Sequence, residues 1–458
     1  MKILSYTVLC AVALLAVAGC RSGFLDVKPD KRQVVPVTVD DLQAMMDNAS
    51  SFVTTHGLNM IGGENYLVSD SHWELLSYIY QKQAYIWADD IYENQTVNDW
   101  NTGYKKILYA NTVLERAAML GDGDRGSASY DNVVGMACFI RGTAYYQLAQ
   151  TFCSPYDPMT VSADLGLPLR TLPDIDQHSA RASLDAVYTL LIDDLKRAAA
   201  LLPLQQVVPQ RPNRAAAYGM LAKVYLTMQD EEQAFVYADE AISLGGALLD
   251  YNTVVPAVPY TFSGMLNGQG NTEILYASYG LLENILNATR AFVNPDLYDR
   301  YDAMDLRKDF FFAERKAGGH EFIGSYLGNS GIFTGLTLAE VLLIRAEAQV
   351  RRGEGEAALR DLNTLRRHRY QRVGYQDFVS VDEGEILREI LSEREKECYY
   401  RGVRWEDIRR LGGSPDHAIT VVRTVNNIRY ELAPQSKRYV WPIPDDVIRL
   451  SGIQQNER

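Results

Sequence analysis

Five positions recur at the same offsets in two distant parts of this chain. Ala222, Tyr225, Ala234, Ala238 and Ala241 form the first set, and Ala346, Gln349, Ala358, Leu362 and Leu365 form the second. Small residues at such points let two antiparallel helices approach closely, and the tyrosine fills the gap between them. Asp230-Glu231 falls at the turn of the first unit and Gly353 at the turn of the second. This is the spacing of a tetratricopeptide unit. Two independent matches predict an all-α scaffold of stacked helix pairs, against the alternative of generic helical hairpins.

Helical periodicity extends the scaffold in both directions. Over 98–120, Tyr104, Ile107, Leu108, Asn111 and Leu114 share one face. A second helix is expected over 133–152, with Phe139, Ala144, Tyr145 and Leu148 inward, and a third over 184–202, ended by Pro203. An earlier helix should start at Asp40-Asp41, and a late one should cover 385–410 with a break at Gly402. The repeat units are therefore placed around 98–152, 184–244 and 338–410 of a body spanning 40–458. Residues 245–337 interrupt them with a long stretch rich in Gly, Asn, Pro and aromatics. Inserts of this length are usually functional or disordered, and the aromatic content argues for order. The tail Tyr439-Val440-Trp441-Pro442-Ile443-Pro444 cannot be a helix interior and is expected as an extended strap.

Before the body lies a leader. Lys2 precedes an apolar run that closes on Val17-Ala18-Gly19-Cys20. The run is short of the roughly 20 residues that a relaxed membrane helix needs, and it has the layout of a secretory signal. A cysteine at the cut makes it a bacterial lipobox: signal peptide 1–19, acylated Cys20, extended tether 20–39. The alternatives are an ordinary cleaved signal with an incidental cysteine, or a retained helix. Several acyl chains hold a protein on a bilayer far better than one. The chain as a whole has ordinary globular balance, 47% hydrophobic and 22% charged residues, and its net charge of −13 disfavours nucleic acid as a partner. Cys138, Cys153 and Cys398 cannot all pair and are expected as buried thiols, with one bridge left open.

Candidate chemistry concentrates between Tyr66 and Tyr104. Three of the five tryptophans lie there, interleaved with acids and amides. Sugar rings have apolar faces and polar rims, so a site for them needs flat aromatic platforms beside amide and carboxylate groups. Asp70, Trp73, Trp87, Tyr92 and Asn94 are the candidate ligand contacts, on expected loops; for Trp73 and Trp87, platform and loop anchor weigh equally. Trp100, on a helix start, suits core packing, and Asn111 suits a satisfied structural amide. The 29 tyrosines against 13 phenylalanines suggest amphipathic binding surfaces. Glu393, Arg394, Glu397, Arg404 and Asp407 read as a salt-bridge network fixing a helix end. Gly121-Asp122-Gly123-Asp124-Arg125-Gly126 follows a helix rather than a strand, so it reads as a turn and not a dinucleotide loop. It could bind calcium weakly but lacks the terminal Glu of a calcium loop. The six histidines show no ligand pair, and no metal, cofactor or catalytic motif is expected. A glycosidase remains open, because its two carboxylates need no local motif.

In order along the chain, several stretches resemble the SusD/RagB family of nutrient-binding lipoproteins. They are Phe24-Leu25-Asp26, then Trp100, Tyr104, Ile107 and Asn111, then Arg141-Gly142 with Ala144-Tyr145-Tyr146 and Gly166-Leu167-Pro168-Leu169. Further on come Tyr188 with Asp194-Leu195, Arg345-Ala346-Glu347-Ala348, Asp361-Leu362-Asn363 with Leu365-Arg366, and Glu393-Arg394-Glu395. Gly402 with Arg404-Trp405, Asp407 and Arg409, and Pro442-Ile443-Pro444, complete the series. Cys153 stands where glycine is usual and Arg401 where an acid is usual, which bears on packing only. The resemblance implies a tetratricopeptide-type scaffold with a large irregular, loop-rich half. It also implies a lipid-anchored protein of the outer membrane, facing out. Such a protein would capture oligosaccharide, or peptide in some relatives, and deliver it to a SusC-like TonB-dependent transporter. A surface glycan hydrolase and a protein-interaction module are the rival readings.

Overall fold

Consecutive helices stack along the chain in the computed structural model, which describes residues 36–458 except 49–51, 53, 56, 96–97, 175, 177–179, 267–269, 282 and 317. The expected signal peptide, Cys20 and nearly all of the tether lie outside the described residues. The first helix, α1 (Val39–Met46), starts slightly earlier than Asp40 because Thr38 caps it. The Thr38 hydroxyl accepts the Asp41 N–H, and the Asp41 carboxylate accepts the Thr38 N–H. Three short helices follow: α2 (Gly57–Gly63), α3 (Asp70–Glu74) and α4 (Ile79–Tyr85). Then come α5 (Asn98–Met119) and α6 (Ala128–Phe152), the latter begun by a Ser127 cap ahead of the expected 133. Gly121–Gly126 forms the exposed turn between them. α7 (Leu184–Leu201) packs on α6, and α8 (Arg214–Thr227) packs on α7 and on α9 (Glu231–Leu244).

The repeat units fold as their spacing requires. Ala222, Ala234, Ala238 and Ala241 are fully buried between α8 and α9. After α10 (Pro295–Tyr298) and α11 (Arg307–Phe311), the second unit pairs α12 (Leu338–Arg351) with α13 (Gly355–Arg367), burying Ala346, Ala358, Leu362 and Leu365. The turns correspond as well. Gly353 has φ +80° and Gln229, at the same offset in the first unit, has φ +59°. That left-handed backbone is free for glycine and strained for glutamine. α9 lies against α12, so the two units join into one stack despite the long insert. The expected helix over 385–410 is two helices, α14 (Glu383–Glu397) and α15 (Arg404–Leu411), separated at Gly402 with φ +75°. The tail passes through Trp441, which is buried, and ends in α16 (Asp445–Ser451). Helices dominate throughout and the strands are short pairs, as the all-α reading requires.

The insert is held to the rest of the chain by strand pairing and charge. Ala291–Val293 pairs antiparallel with Tyr66–Val68 and Tyr279–Gly280 pairs parallel with Thr54–Thr55, while within the insert Ile274–Tyr276 pairs with Leu336–Thr337 just before α12. Arg307 from the insert is completely buried and reaches Asp305, Glu393 and Glu397, while Arg369 bonds Glu273 and Glu397 at 2.9 Å each. Arg366 and Lys396 add bonds to Glu393 at 2.8 and 3.1 Å. Arg394 pairs with Asp407 at 2.9 Å and Arg404 with Glu395 at 3.1 Å, so the charged cluster read from sequence is an ion-pair network. Burial alone would raise the Glu393 carboxyl, but Arg307, Lys396 and Arg366 outweigh it and hold it well below the usual carboxylate range.

The tyrosine excess has a different use from the one expected. Many tyrosines are buried, and their hydroxyls serve carbonyls in the last turns of helices and in loops. Tyr66 donates to the Ile61 carbonyl, Tyr301 to Lys396, Tyr400 to Leu286 and Tyr92 to Pro442. Carbonyls in the last turn of a helix or in a loop lack a ladder partner and still need a donor when buried. A tyrosine supplies that donor together with a large apolar ring. Cys138, Cys153 and Cys398 are all buried free thiols.

Candidate functional site

The segment expected to bind ligand is more ordered than a set of loops. Tyr66–Val68 is a strand, and α3 and α4 follow it. Ser69 caps α3, accepting the His72 N–H at 3.3 Å. This puts Trp73 on a short helix, half-buried, with the Lys82 ammonium of α4 lying 5.0 Å from its ring centre. Lys82 also donates to the Glu74 carbonyl at 2.8 Å. α4 in turn holds the following turn: Gln83 donates to Glu93 at 2.9 Å and the Tyr80 N–H to Gln95 at 3.2 Å. Asp70 and Asn94 are exposed, and Asn94 sits in left-handed backbone with φ +67°. Trp73 and Asp70 on α3 are thus tied to α4 through Lys82, and Asn94 sits in the turn that α4 holds.

Trp87 and Tyr92 do not join that surface. Trp87 is 0% exposed and its indole N–H donates to the Gly62 carbonyl at 3.1 Å. Its ring faces the guanidinium of Arg423 at 4.8 Å, which also lies 4.0 Å from the ring centre of Tyr85 and 5.2 Å from that of Tyr66. Tyr92 is buried, with its hydroxyl on the Pro442 carbonyl at 2.6 Å. As ligand platforms these two expectations are corrected: both rings are anchors, because the cation, the carbonyls and the core around them already use both polar and apolar parts. Trp100 packs in the core against Tyr104 and Phe152, as its helical spacing suggested. Asn111 is a satisfied amide, donating to the carbonyls of Arg170 and Leu172 and accepting from Arg141.

Arg423 reaches this cage from a hairpin that the sequence reading missed. Strands Val421–Val425 and Ile428–Leu432 are joined by Asn426-Asn427, with φ +50° and +62°. Two left-handed residues are the signature of the tightest hairpin turn, and asparagine tolerates it. The signal was present as an Asn pair between β-branched runs. The tip docks on α3: the Asn426 N–H donates to Asp70 at 2.8 Å and its side chain to Glu74 at 2.7 Å. Asp70 therefore supports the surface as well as facing water. Two further groups complete the exposed patch, Leu75 at 72% and Tyr78 at 49% exposure. Tyr78 packs obliquely on Tyr80 and presents a ring beside α4.

A buried acidic group, Glu64, lies between α2 and the Tyr66–Val68 strand, beside Glu395 and Arg404. Glu64 accepts the N–H groups of Tyr400 and Gly402 at 3.2 and 3.0 Å. Burial nevertheless pushes its carboxyl up to about 7, because Arg404 helps only from a distance. Asp99 is pushed up to about 7 by burial and by Glu283. Two clefts stand apart from the patch. One, of about 820 Å³, is lined by Tyr156, Gln229, Arg409, Gln435 and Asn456. The other, of about 740 Å³, is lined by Trp100, Tyr104, Leu108, Val447 and Ile453. None of the five candidate residues lines either one. Among the described residues no group of His, Cys, Asp and Glu is placed to hold a metal ion, and no helix is long and apolar enough to cross a membrane.

Comparison with known proteins supplies a family. A model described as starch-binding, associating with the outer membrane, matches residues 23–226, and a model of the SusD family matches residues 328–458. The chain belongs to the SusD family. A SusD-like protein, P2, from Formosa agariphila is 27% identical over 372 residues, covering 68% of this chain and 71% of that protein. Among solved structures, a SusD superfamily protein from Bacteroides thetaiotaomicron aligns with a TM-score of 0.72 at 21% identity, covering 92% of this chain and 100% of the other. A SusD-like carbohydrate-binding protein from Bacteroides vulgatus aligns with a TM-score of 0.64 at 18% identity, covering 90% and 96%. These likenesses show that this chain has the helical SusD fold. The two model matches leave out 227–327, most of which is the insert whose short strands clamp the 54–68 segment.

Proposed function

We propose that this SusD-family chain is a surface lipoprotein that binds oligosaccharide without cleaving it and passes it to a SusC-like TonB-dependent transporter of the outer membrane. The observation that carries the binding site is the patch on α3 and α4. There a half-exposed Trp73 and an exposed Tyr78 stand with Asp70, Lys82 and Asn94, on a surface stiffened by the hairpin tip. Rings of this kind stack on the C–H faces of sugars while the amide, carboxylate and ammonium meet hydroxyl groups. The starch-binding description of the matching model and the carbohydrate-binding description of the Bacteroides vulgatus relative point to the same ligand class. Acylation at Cys20 would tether the body and keep bound ligand at high effective concentration near the transporter.

Isothermal titration of the purified protein against a panel of glycans tests the site. Trp73→Ala and Tyr78→Ala should each weaken binding about tenfold, on the scale of one lost ring contact. Unchanged affinity in both removes the patch from consideration, and loss of affinity in Tyr156→Ala instead would move the site to the 820 Å³ cleft. Binding of peptides in place of glycans would assign the chain to peptide uptake. Release of reducing ends from any polysaccharide above a heat-killed control would make it a hydrolase. Mass spectrometry of the membrane-extracted protein should find an acylated Cys20 at the N-terminus, and co-purification should recover the transporter.

A further inference from the structure

The seam arginines Arg307, Arg366 and Arg369 all meet carboxylates, but Arg401 beside them does not. It lies in the turn between α14 and α15 and is 6% exposed. Among the described residues its guanidinium makes one hydrogen bond, from Nη1 to the Thr337 hydroxyl at 3.2 Å, and no ion pair. The ring centres of Tyr326 and Phe333 lie 4.3 and 5.7 Å from it, and Nη2 is buried without a partner. Glu397, whose charge it feels, is already bonded by Arg307 and Arg369. Arg409 and Arg423 also lack a bonded carboxylate, but each donates to at least two main-chain carbonyls. A buried cation with neither a counter-charge nor a full set of acceptors is costly.

Arg401 lines a crevice of about 60 Å³, together with Ser278 and Thr334 of the insert and with Lys223, Glu340 and Glu406. The two acids of the crevice have their own cations. Lys223 bonds Glu340 and Glu406 at 3.3 and 3.1 Å, and Arg394 adds to Glu340 at 3.4 Å. The ion pairs then alternate through Asp407 and Arg410 to Glu347 and end at Arg351, so that chain of charges is balanced without Arg401. We infer that the crevice binds one small monovalent anion, of the size and charge of chloride, against the Arg401 guanidinium. The unpartnered N–H supplies a charge-assisted donor, and the Ser278 and Thr334 hydroxyls stand beside it. The volume exceeds the roughly 10–15 Å³ that a single water needs, which admits a halide with a water but no sugar. A divalent anion would set its second charge against Glu340 and Glu406. The bound anion would tie the α14–α15 turn to the insert and to Thr337, the cap of α12. It rests on the fold alone and not on the proposed glycan site.

Two measurements on the purified protein test it. Crystals soaked in sodium bromide should show an anomalous peak within bonding distance of the Arg401 guanidinium. In thermal unfolding at equal ionic strength, about 0.2 M chloride or bromide should raise Tm by about 1–3 °C over gluconate, which is too large for the crevice, and over sulfate. Arg401→Gln should erase both the peak and the halide-specific shift. Should that variant fold poorly, the two measurements on the unaltered chain decide the matter by themselves. Water alone in the crevice overturns the proposal, and so does the same Tm in all the salts. A bromide peak without a halide-specific shift is an adventitious ion only and overturns it as well. No readout involves glycan, so failure here is distinct from a failure of the proposed function.

Discussion

Two regions of this molecule bury carboxylates to the same depth with opposite results. At the seam between insert and scaffold, Glu393 and Glu397 are completely buried and lie against Arg307, Arg366, Arg369 and Lys396. Both carboxyls are held below their usual range by those cations, against the pull of burial. Between α2 and the Tyr66–Val68 strand, Glu64 is buried among backbone N–H groups and is pushed up to about 7. Depth is shared; the difference is a guanidinium within bonding distance. The seam joins two parts of the chain by paired charge, while Glu64, met by backbone N–H groups alone, keeps a raised carboxyl.

The contrast can be broken most severely at Arg307. Arg307→Met should destabilise the protein by about 3–5 kcal/mol, since it strands buried carboxylates without their cation. Urea unfolding at pH 7 measures it, and a loss under 1 kcal/mol would show that the remaining cations carry the seam. Next comes a pair of tryptophans. Trp87→Ala should cost about 3–5 kcal/mol by emptying a core site and uncovering Arg423, whereas Trp73→Ala should cost far less stability while weakening glycan binding. Similar stability losses in both would erase the distinction between anchor and platform.

The pH dependence sharpens the comparison from the other side. Glu64 titrates higher in the folded chain than in the unfolded one. Its favourable contribution is therefore complete below about 4.5 and is lost as pH rises to about 7. Glu393 behaves in reverse, its contribution being present at neutral pH and lost as pH falls. Glu64→Gln should accordingly reduce the decline in stability between pH 5 and 8 by roughly 1–3 kcal/mol, leaving a residual slope from Asp99, which shifts the same way. An unchanged slope would place the titration elsewhere. The smallest effect is expected at the hairpin tip. Asn426→Ala removes one bond to Glu74 and places alanine in left-handed backbone, a loss of about 1–2 kcal/mol by thermal denaturation. The same variant should loosen α3 and weaken glycan binding modestly.

How the patch could be read beforehand differs residue by residue. Asp70, Trp73 and Asn94 read as a mixture of ring, acid and amide, and the structure leaves Asp70 and Asn94 exposed and Trp73 partly so. Trp87 and Tyr92 had the same local composition and went inside. Their fate depends on Arg423 and Pro442, more than 300 residues away in sequence. Tyr78 was one aromatic among many until its exposure separated it. The helix pairs were readable because their packing rule is local: small residues recur within one turn-and-return of the chain. Caps moved the ends, as Thr38 and Ser127 did, because a side-chain bond to a free N–H outweighs the periodicity of the residues after it.

By itself the sequence determined the stacked helix pairs, the charged cluster at Glu393 and the family resemblance. Each depends on spacing along the chain or on residue order. Only the tertiary structure decided which aromatic rings face water, which carboxylates meet cations, and where the insert attaches. Those outcomes are set by contacts between residues far apart in sequence, and burial gives the same side chain opposite charge states or opposite uses according to what it meets there.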